Sequence, residues 1–266
     1  MNTTELAGLN EADVRGVLLD AADTAAAITL PRFRTGLAVD NKLAEGFDPV
    51  TEADREAERV IRELIASRFP DHAIIGEEWD DKVTDSPFTW IIDPIDGTRA
   101  FVTGVPVWGT LIGLMHEGRA LAGLMAQPFT GEIYLSLPGS ASYHRGTHSQ
   151  ALATSAVTDV GKAKLTTTSP DMFTAEFTAP WDLISKAALT VRYGLDCYGY
   201  CLLAAGHIDL VVEAKLKNVD IAPLIPIIVN AGGVVTTWQG GPAEEGGTCI
   251  AAATPELHAA ALDLLR

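Results

Sequence analysis

The chain has 266 residues, of which 47% are hydrophobic, and it carries a formal net charge of −16 at pH 7. A chain of this length buries a large core, either as one large domain or as two smaller ones. The excess of Asp and Glu argues against nucleic acid and anionic membranes as partners, because both require clustered Lys and Arg. The three cysteines form no C-x-x-C pair, which argues against a disulfide framework and predicts a cytoplasmic location. We find no export signal and no apolar run approaching the ~18 residues of a membrane-spanning helix.

Two amphipathic helices open the chain. Apolar residues recur at helical spacing over residues 11–29 and 51–68. The segment between them, residues 39–50, has the Asn, Gly, Asp and Pro content of a loop. Apolar segments then predict strands at 72–78, 89–93, 109–116, 119–126 and 132–137. Short interruptions containing glycine make several of these strands hairpin neighbours.

After about residue 145, strands and helices alternate. Strands are predicted at 164–169, 190–194, 208–213, 234–238 and 249–253. Helices are predicted at 181–188, 197–206, 221–233 and 255–266, the third of them despite Pro226. A half with helices and an antiparallel sheet, followed by an alternating half, predicts a layered α/β fold with halves at 1–143 and 144–266.

The segment WIIDPIDGT, residues 90–98, carries the strongest functional signal. Its apolar start predicts a buried strand, so Asp93 and Asp96 lie where that strand emerges. A turn or a helix N-cap explains either aspartate alone. Two carboxylates this close resist joint ionisation unless a cation lies between them, and oxygen ligands favour Mg²⁺ over Zn²⁺. Gly97 lets the backbone approach a ligand, and amides that open a helix bind phosphate oxygens, so the segment predicts phosphoryl chemistry.

Three further acidic segments fit the same scheme. Glu77 and Glu78 end an apolar strand, and only one of them enters the site because adjacent strand residues point to opposite faces. Asp54 follows Thr51 at the spacing of a capping box. Asp220 comes just before an apolar helix, where an N-cap is the default role.

The histidines and cysteines do not compete for this role. His144 and His148 are assigned to a loop, and without an H-E-x-x-H motif they do not predict a zinc site. Cys197 and Cys201 share one face of a helix, which favours a place in the core.

The order of these motifs resembles the inositol monophosphatase superfamily of Mg²⁺-dependent, Li⁺-sensitive phosphatases. The matching motifs are DPVTEAD (48–54), IIGEE (74–78), WIIDPIDGT (90–98), VDIA (219–222) and AGG (231–233). Within the superfamily, the segments at 99–114, 195–213 and 216–238 look most like the histidinol-phosphatase branch. Inositol monophosphatases proper more often continue DGT with Asn-Phe and carry Trp before the C-terminal Asp. This chain has Arg99-Ala100-Phe101 and Val219 at those positions, which weakens an inositol assignment.

The resemblance implies a layered αβαβα sandwich that is commonly dimeric, with two to three Mg²⁺ ions in each site. Glu77, Asp93 and the backbone carbonyl of Ile95 would hold the first ion. Asp93, Asp96 and Asp220 would hold the second, and a third, weaker ion would use Glu77 and water.

The resemblance also implies roles around the metals. Asp54 and Thr98 resemble the pair that orients the attacking water. The amides of Gly97 and Thr98 resemble a phosphate cradle. Asp196 and Glu213 match positions that face the alcohol part of the substrate.

These features predict hydrolysis of a phosphate monoester by direct attack of metal-activated water, without a phosphoenzyme. L-Histidinol phosphate is the leading substrate, because its cationic alcohol suits Asp196 and Glu213 better than a polyol does. Surface solvation or strand-end capping also explains these two residues. An inositol-1-monophosphatase or a broad sugar-phosphate phosphatase is the alternative. A non-catalytic regulatory protein on this scaffold is a remote third possibility.

A different phosphatase chemistry also has to be weighed. Haloacid-dehalogenase-type phosphatases use D-x-D-G-T, with the first Asp as nucleophile. Here one more residue separates the two aspartates and Pro94 follows the first, which counts against that chemistry.

Overall fold

The computed structural model describes residues 6–36, 40–41 and 49–266. Most of the loop predicted at 39–50 lies outside the described residues, as does Asp48 of the DPVTEAD motif. The parts of that segment that are described, Asp40–Asn41 and Pro49–Val50, pair as two short antiparallel strands.

The described helices are α1 (Glu11–Thr29), α2 (Glu52–Arg68), α3 (Thr98–Thr103), α4 (Thr178–Ala187), α5 (Asp196–Ala204), α6 (Asn218–Ile221), α7 (Ile225–Asn230) and α8 (Pro255–Leu265). The described strands are β1 (Asp40–Asn41), β2 (Pro49–Val50), β3 (Ala73–Gly76), β4 (Phe88–Asp96), β5 (Gly109–His116), β6 (Arg119–Gln127), β7 (Glu132–Leu137), β8 (Ser140–Arg145), β9 (His148–Ala151), β10 (Lys164–Thr167), β11 (Thr190–Tyr193), β12 (Leu210–Leu216), β13 (Val234–Thr236) and β14 (Gly247–Ala252). Three-residue 3₁₀ turns lie at Leu30–Arg32, Val160–Lys162, Pro170–Met172 and Ala175–Phe177.

Two large sheets organise these elements. The first has seven strands in the order β3-β4-β5-β6-β7-β8-β9, with only the β3–β4 pair parallel. The second has five strands in the order β11-β10-β12-β14-β13. In this second sheet β10 runs parallel to β11 and β12, and β14 runs antiparallel to β12 and β13.

Three apolar clusters stack the helices and sheets into layers. Helices α1 and α2 cover the outer face of the seven-stranded sheet. Helices α5 and α7 fill the space between the two sheets. Helices α4 and α8 cover the far face of the five-stranded sheet. The fold is therefore an αβαβα sandwich, as the resemblance implied, because each sheet buries an apolar face on both sides.

The seven-stranded sheet continues through Ala151. The division of the chain into halves at 143/144 stays a prediction.

Three element predictions need correction. His144 and His148 lie in β8 and β9, two strands joined by a tight turn, and not in a loop. Their polar composition hides these strands, because β9 is the exposed edge of the sheet and β8, next to it, is only partly buried. The helix predicted at 221–233 is shorter, since α6 ends at Ile221 and α7 spans only Ile225–Asn230. Pro226 falls in the first turn of α7, where its missing N–H breaks no helical bond.

The third correction concerns β4, which does not end at Asp93 but runs on to Asp96. Asp93 pairs with Leu111 and Asp96 pairs with Gly109, so β4 has one more residue than β5 over this stretch. This is a β-bulge, and it tolerates Pro94, which has no N–H to donate. Side chains three residues apart on a regular strand point to opposite faces. The extra residue lets both carboxylates reach the same site.

Candidate active site

A cleft of about 290 Å³ opens where β4 ends, beside the start of α5 and the end of β12. Its size suits a small molecule. The cleft is lined by acidic side chains from both sheets, namely Glu77, Asp93, Asp96, Asp196, Glu213 and Asp220. Among the residues that the structure describes, the basic side chains that line the cleft are Arg99, Lys215 and Lys217. The fold thus gathers residues that lie as far apart in the chain as Glu77 and Asp220.

Backbone amides orient the three central carboxylates. The amide of Ile95 donates to Oδ1 of Asp93 at 3.0 Å. The amide of Cys197 donates to Oδ2 of Asp96 at 2.7 Å. Asp220 is the third residue of α6, and its Oδ2 accepts from the amide at Lys217 at 2.7 Å. The N-cap predicted for Asp220 is therefore wrong in position, because Lys217 is the N-cap and Asp220 caps the helix from within its first turn.

These three carboxylates form a group that fits a metal ion. Asp93, Asp96 and Asp220 each offer an oxygen, and these oxygens all lie within 4.8 Å of one another. Asp93 is 2% exposed. The backbone carbonyl of Ile95 lies in the same cleft and accepts a hydrogen bond from the hydroxyl of Thr98 at 3.1 Å. Hard oxygen ligands of this kind suit Mg²⁺.

Burial, together with repulsion inside the cluster, raises the pKa values of these carboxylates. Burial raises the pKa of Asp93 well above its ordinary range, and the charges of Glu77, Asp96 and Asp220 raise it further. Burial also raises the pKa of Asp96. Burial raises the pKa of Asp220 to about 7, although the hydrogen bond from the amide at Lys217 opposes the shift. A bound divalent cation would favour the charged form of all three groups.

The two glutamates after β3 separate as expected. Glu77 lines the cleft, and its Oε1 accepts a hydrogen bond from Nζ of Lys217 at 2.9 Å. The amide of Glu78 donates to Oε2 of Glu58 at 2.7 Å. Glu58 is buried and is paired with Arg62 at 2.7 Å. This arrangement ties the end of β3 to α2 and so holds Glu77 in place.

Gly97 and Thr98 line the cleft at the start of α3. Gly97 has φ +80°, and a Cβ there would lie 3.1 Å from Cβ and Cγ of Asp196 and 3.3 Å from Cα of Trp108. The position therefore requires glycine, both for its backbone conformation and for the close approach. Sequence reasoning considered Asp96 as the N-cap of this helix, and the structure gives that position to Gly97.

Asp54 caps α2 in the way that its spacing predicted. Its Oδ2 accepts from the amide and the hydroxyl of Thr51 at 2.8 and 2.6 Å. Asp54 is 1% exposed, and burial raises its pKa to about 6. Within the described part of the chain, no hydrogen bond joins Asp54 to Thr98. Their role in orienting water stays a prediction.

Glu213 and Asp196 line the same cleft as the metal cluster. Glu213 is 3% exposed. Its Oε1 accepts from the amide and hydroxyl of Thr168 at 2.8 and 2.6 Å, and its Oε2 accepts from the hydroxyl of Tyr200 at 2.9 Å. Asp196 begins α5 with φ +47°, and burial raises its pKa to about 6 while the charge of Arg99 opposes the shift. A non-glycine residue rarely adopts this backbone conformation, and such strain is often found at functional sites.

Sequence reasoning missed the residues that hold these carboxylates. Thr168 and Tyr200 clamp Glu213, and the amides of Cys197 and Lys217 orient Asp96 and Asp220. Of these residues, only Lys217 could have been found from the sequence, because it stands three residues before Asp220, at the spacing of a capping box. The expected burial of Cys197 and Cys201 is confirmed.

The architecture defines a layered αβαβα protein with an acidic cleft between its two sheets. The family model of the inositol monophosphatase family matches residues 10–266, so the chain belongs to that family. Relatives of the chain include a histidinol-phosphatase and an inositol-1-monophosphatase, and the chain is accordingly a phosphomonoesterase. The family's metal dependence agrees with the carboxylate cluster.

Individual relatives agree with this placement. The chain is 37% identical over 221 residues to the bifunctional phosphatase IMPL2 of Arabidopsis thaliana, with 82% of this chain covered; it spans 62% of that relative's length. It is 37% identical over 224 residues to a histidinol-phosphatase of Chlorobaculum parvum, which covers 84% of this chain and 85% of the relative. An inositol monophosphatase from Zymomonas mobilis superposes with a TM-score of 0.85 at 37% identity and covers 96% of this chain and 98% of its own.

Among the described residues, no helix combines the length and apolar character needed to cross a lipid bilayer.

Proposed function

We propose that this protein is an Mg²⁺-dependent phosphatase that converts L-histidinol phosphate and water to L-histidinol and phosphate. The observation that carries the metal dependence is the group formed by Asp93, Asp96 and Asp220, whose ligand oxygens lie within 4.8 Å of one another. Buried carboxylates at this separation repel one another, and a divalent cation relieves that repulsion.

The donor set fits Mg²⁺, since all of its atoms are hard oxygens. Glu77, Asp93 and the carbonyl of Ile95 would hold one ion, and Asp93, Asp96 and Asp220 would hold a second. A third, weaker ion would use Glu77 and water. When bound, Mg²⁺ supplies positive charge that acidifies water and stabilises the oxygen of the leaving alcohol.

The chain's own residues would do the rest. Gly97 and Thr98, which open α3, would donate backbone amides to the phosphate oxygens. Asp54 and Thr98 would orient the attacking water. For Asp54, a pKa raised to about 6 by burial would suit a group that exchanges a proton near neutral pH.

The choice of alcohol rests on Glu213 and Asp196. Glu213 is held rigidly by Thr168 and Tyr200, and Asp196 stands beside it in the same cleft. Two carboxylates at this position favour an alcohol that carries positive charge, as histidinol does, over an uncharged polyol. The 37% identity to the histidinol-phosphatase of Chlorobaculum parvum also supports this choice of substrate.

The test compares kcat/KM for L-histidinol phosphate with kcat/KM for inositol 1-phosphate, using purified protein with Mg²⁺. We expect histidinol phosphate to be preferred by at least about tenfold, because a charge pair in a partly buried cleft contributes on the order of 1–3 kcal/mol. Asp196→Ala should reduce that preference, while Asp171→Ala, at an exposed Asp outside the cleft, should leave it intact. Equal kcat/KM values for the two esters would refute the assignment of histidinol phosphate and favour an inositol or sugar-phosphate phosphatase.

Two further expectations are part of the proposal. We propose a homodimer, which sedimentation equilibrium would detect as twice the 28.2 kDa chain mass. We also propose a cytoplasmic location, which suits three buried cysteines that form no disulfide with one another.

A further inference from the structure

Lys217 contacts the acidic cluster from two directions. Its Nζ donates to Oε1 of Glu77 at 2.9 Å, and its backbone amide donates to Oδ2 of Asp220 at 2.7 Å. Glu77 follows β3 of the seven-stranded sheet, whereas Lys217 follows β12 of the five-stranded sheet. The Lys217 side chain therefore reaches across the cleft from one sheet to the other.

The Glu77 carboxylate that accepts this hydrogen bond is also one of the proposed metal ligands. The Glu77 side chain is 12% exposed and the Lys217 side chain is 54% exposed. A divalent cation on the Glu77 carboxylate would repel an ammonium group bonded to that same carboxylate. The Lys217 side chain is long and half-exposed, so water can solvate its ammonium group when a cation displaces it from Glu77.

We infer that Lys217 competes with the metal ion for the Glu77 carboxylate and thereby sets the affinity of that metal site. This inference rests on the proposed metal site. Its consequence is that the Glu77 site fills at a higher concentration of free ion than it would without Lys217, because each binding event has to displace an ion pair.

Lys215 provides a matched control for the direct contact. It lines the same cleft two residues earlier, carries the same charge and is exposed. Its backbone has φ +62° in the bulge of β12, between Glu213 and Leu216. In the part of the chain that the structure describes, its side chain makes no hydrogen bond or ion pair. Removing either lysine takes one positive charge from the cleft, but only Lys217 is bonded to Glu77.

The test measures metal binding and not activity. Mn²⁺, which accepts the same oxygen ligands as Mg²⁺, is titrated into the full-length chain, and free Mn²⁺ is followed by electron paramagnetic resonance. We expect Lys217→Met to bind Mn²⁺ about fivefold more tightly than wild type, as the loss of a competing, partly exposed ion pair predicts. Lys215→Met should change the affinity by less than about twofold, because it removes only a screened, unpaired charge. Lys217→Arg keeps the charge and should remain close to wild type.

The outcomes separate this inference from the proposed function. If wild type binds Mn²⁺ and the two methionine variants show the same affinity, competition by Lys217 is wrong and the metal site stands. If wild type binds no Mn²⁺, the proposed metal site fails and this inference fails with it. Lys217→Gln provides the same comparison if the methionine variant does not fold.

Discussion

The backbone amide of Cys197 donates a 2.7 Å hydrogen bond to Oδ2 of Asp96, although the two residues are 101 positions apart in the chain. The bond joins the start of α5, which carries Asp196, to the end of β4, which carries two metal-ligand candidates. It therefore fixes the distance between the part of the cleft that would recognise the alcohol and the part that would bind metal.

Gly97 lies directly beside this junction, and we predict that Gly97→Ala damages both stability and activity. The φ of +80° costs any other residue about 1–2 kcal/mol. In addition, the new Cβ would lie 3.1 Å from Asp196 and push it away from its position in the cleft. Urea unfolding and kcat/KM measure the two effects.

Gly118 is the matched control, because it has φ +74° and open space around the built Cβ. Gly118→Ala should lose about the same 1–2 kcal/mol of unfolding free energy and keep wild-type kcat/KM. If both variants keep full activity, the close approach at Gly97 has no functional importance.

Tyr200 holds Glu213, and we predict that Tyr200→Phe weakens both the fold and the recognition of a cationic alcohol. The buried Oε2 of Glu213 would lose its 2.9 Å hydrogen bond, which costs about 1–3 kcal/mol of unfolding free energy. A less constrained Glu213 should raise KM for histidinol phosphate more than it lowers kcat. Tyr193→Phe, at a tyrosine 48% exposed, should change neither quantity. An unchanged KM in Tyr200→Phe would show that Glu213 does not act on the substrate.

His72 makes the stability of the fold depend on pH. It accepts a 3.1 Å hydrogen bond from Nε1 of Trp90 and stacks between Phe69 and Phe88 at 4.7 and 4.9 Å. Burial lowers its pKa below 6.5, and the charge of Lys82 lowers it further. As the pH falls, His72 is therefore protonated at a higher pH in the unfolded chain than in the folded chain.

Above pH 6.5, neutral His72 makes its full contribution to the free energy of unfolding. As the pH falls below that value, this contribution decreases by up to about 1.4 kcal/mol per pH unit. The variant His72→Phe keeps the stacking and lacks the titrating group. Its unfolding free energy, measured in urea from pH 8 to pH 5, should fall less steeply than that of wild type. Parallel curves would show that His72 does not titrate differently in the folded chain.

Much of the fold was predictable because strong patterns determine it. The helical spacing of residues 11–29 and 51–68 matches α1 and α2 within one residue at each end, and the apolar segments gave the central strands. The last two strands of the sheet, β8 and the edge strand β9, were missed, because strands that are largely exposed need no apolar alternation. The bulge in β4 was also missed, since only the pairing partner on β5 shows the extra residue.

The acidic residues of the cleft were predictable, but their support was not. Asp93, Asp96 and Asp220 follow recognisable motifs, and the fold brings all three together. The groups that orient them are backbone amides, such as that of Cys197, which any residue type provides. Thr168 and Tyr200 also lie in unremarkable segments, so their contact with Glu213 emerges only from the packing of the second sheet.

The most direct test of the account is the release of phosphate from L-histidinol phosphate by wild type and by Asp93→Asn, with Mg²⁺ and after its removal by a chelator. We predict that wild type needs Mg²⁺ and that Asp93→Asn loses activity by at least about 100-fold, because Asp93 is proposed to serve two ions. The variant should fold as well as wild type without metal, since it removes a repelling buried carboxylate. Asp81→Asn, at an exposed position, is the control for the change in charge. Near wild-type hydrolysis by a folded Asp93→Asn protein with Mg²⁺ would contradict the assignment of this cleft as the catalytic metal site.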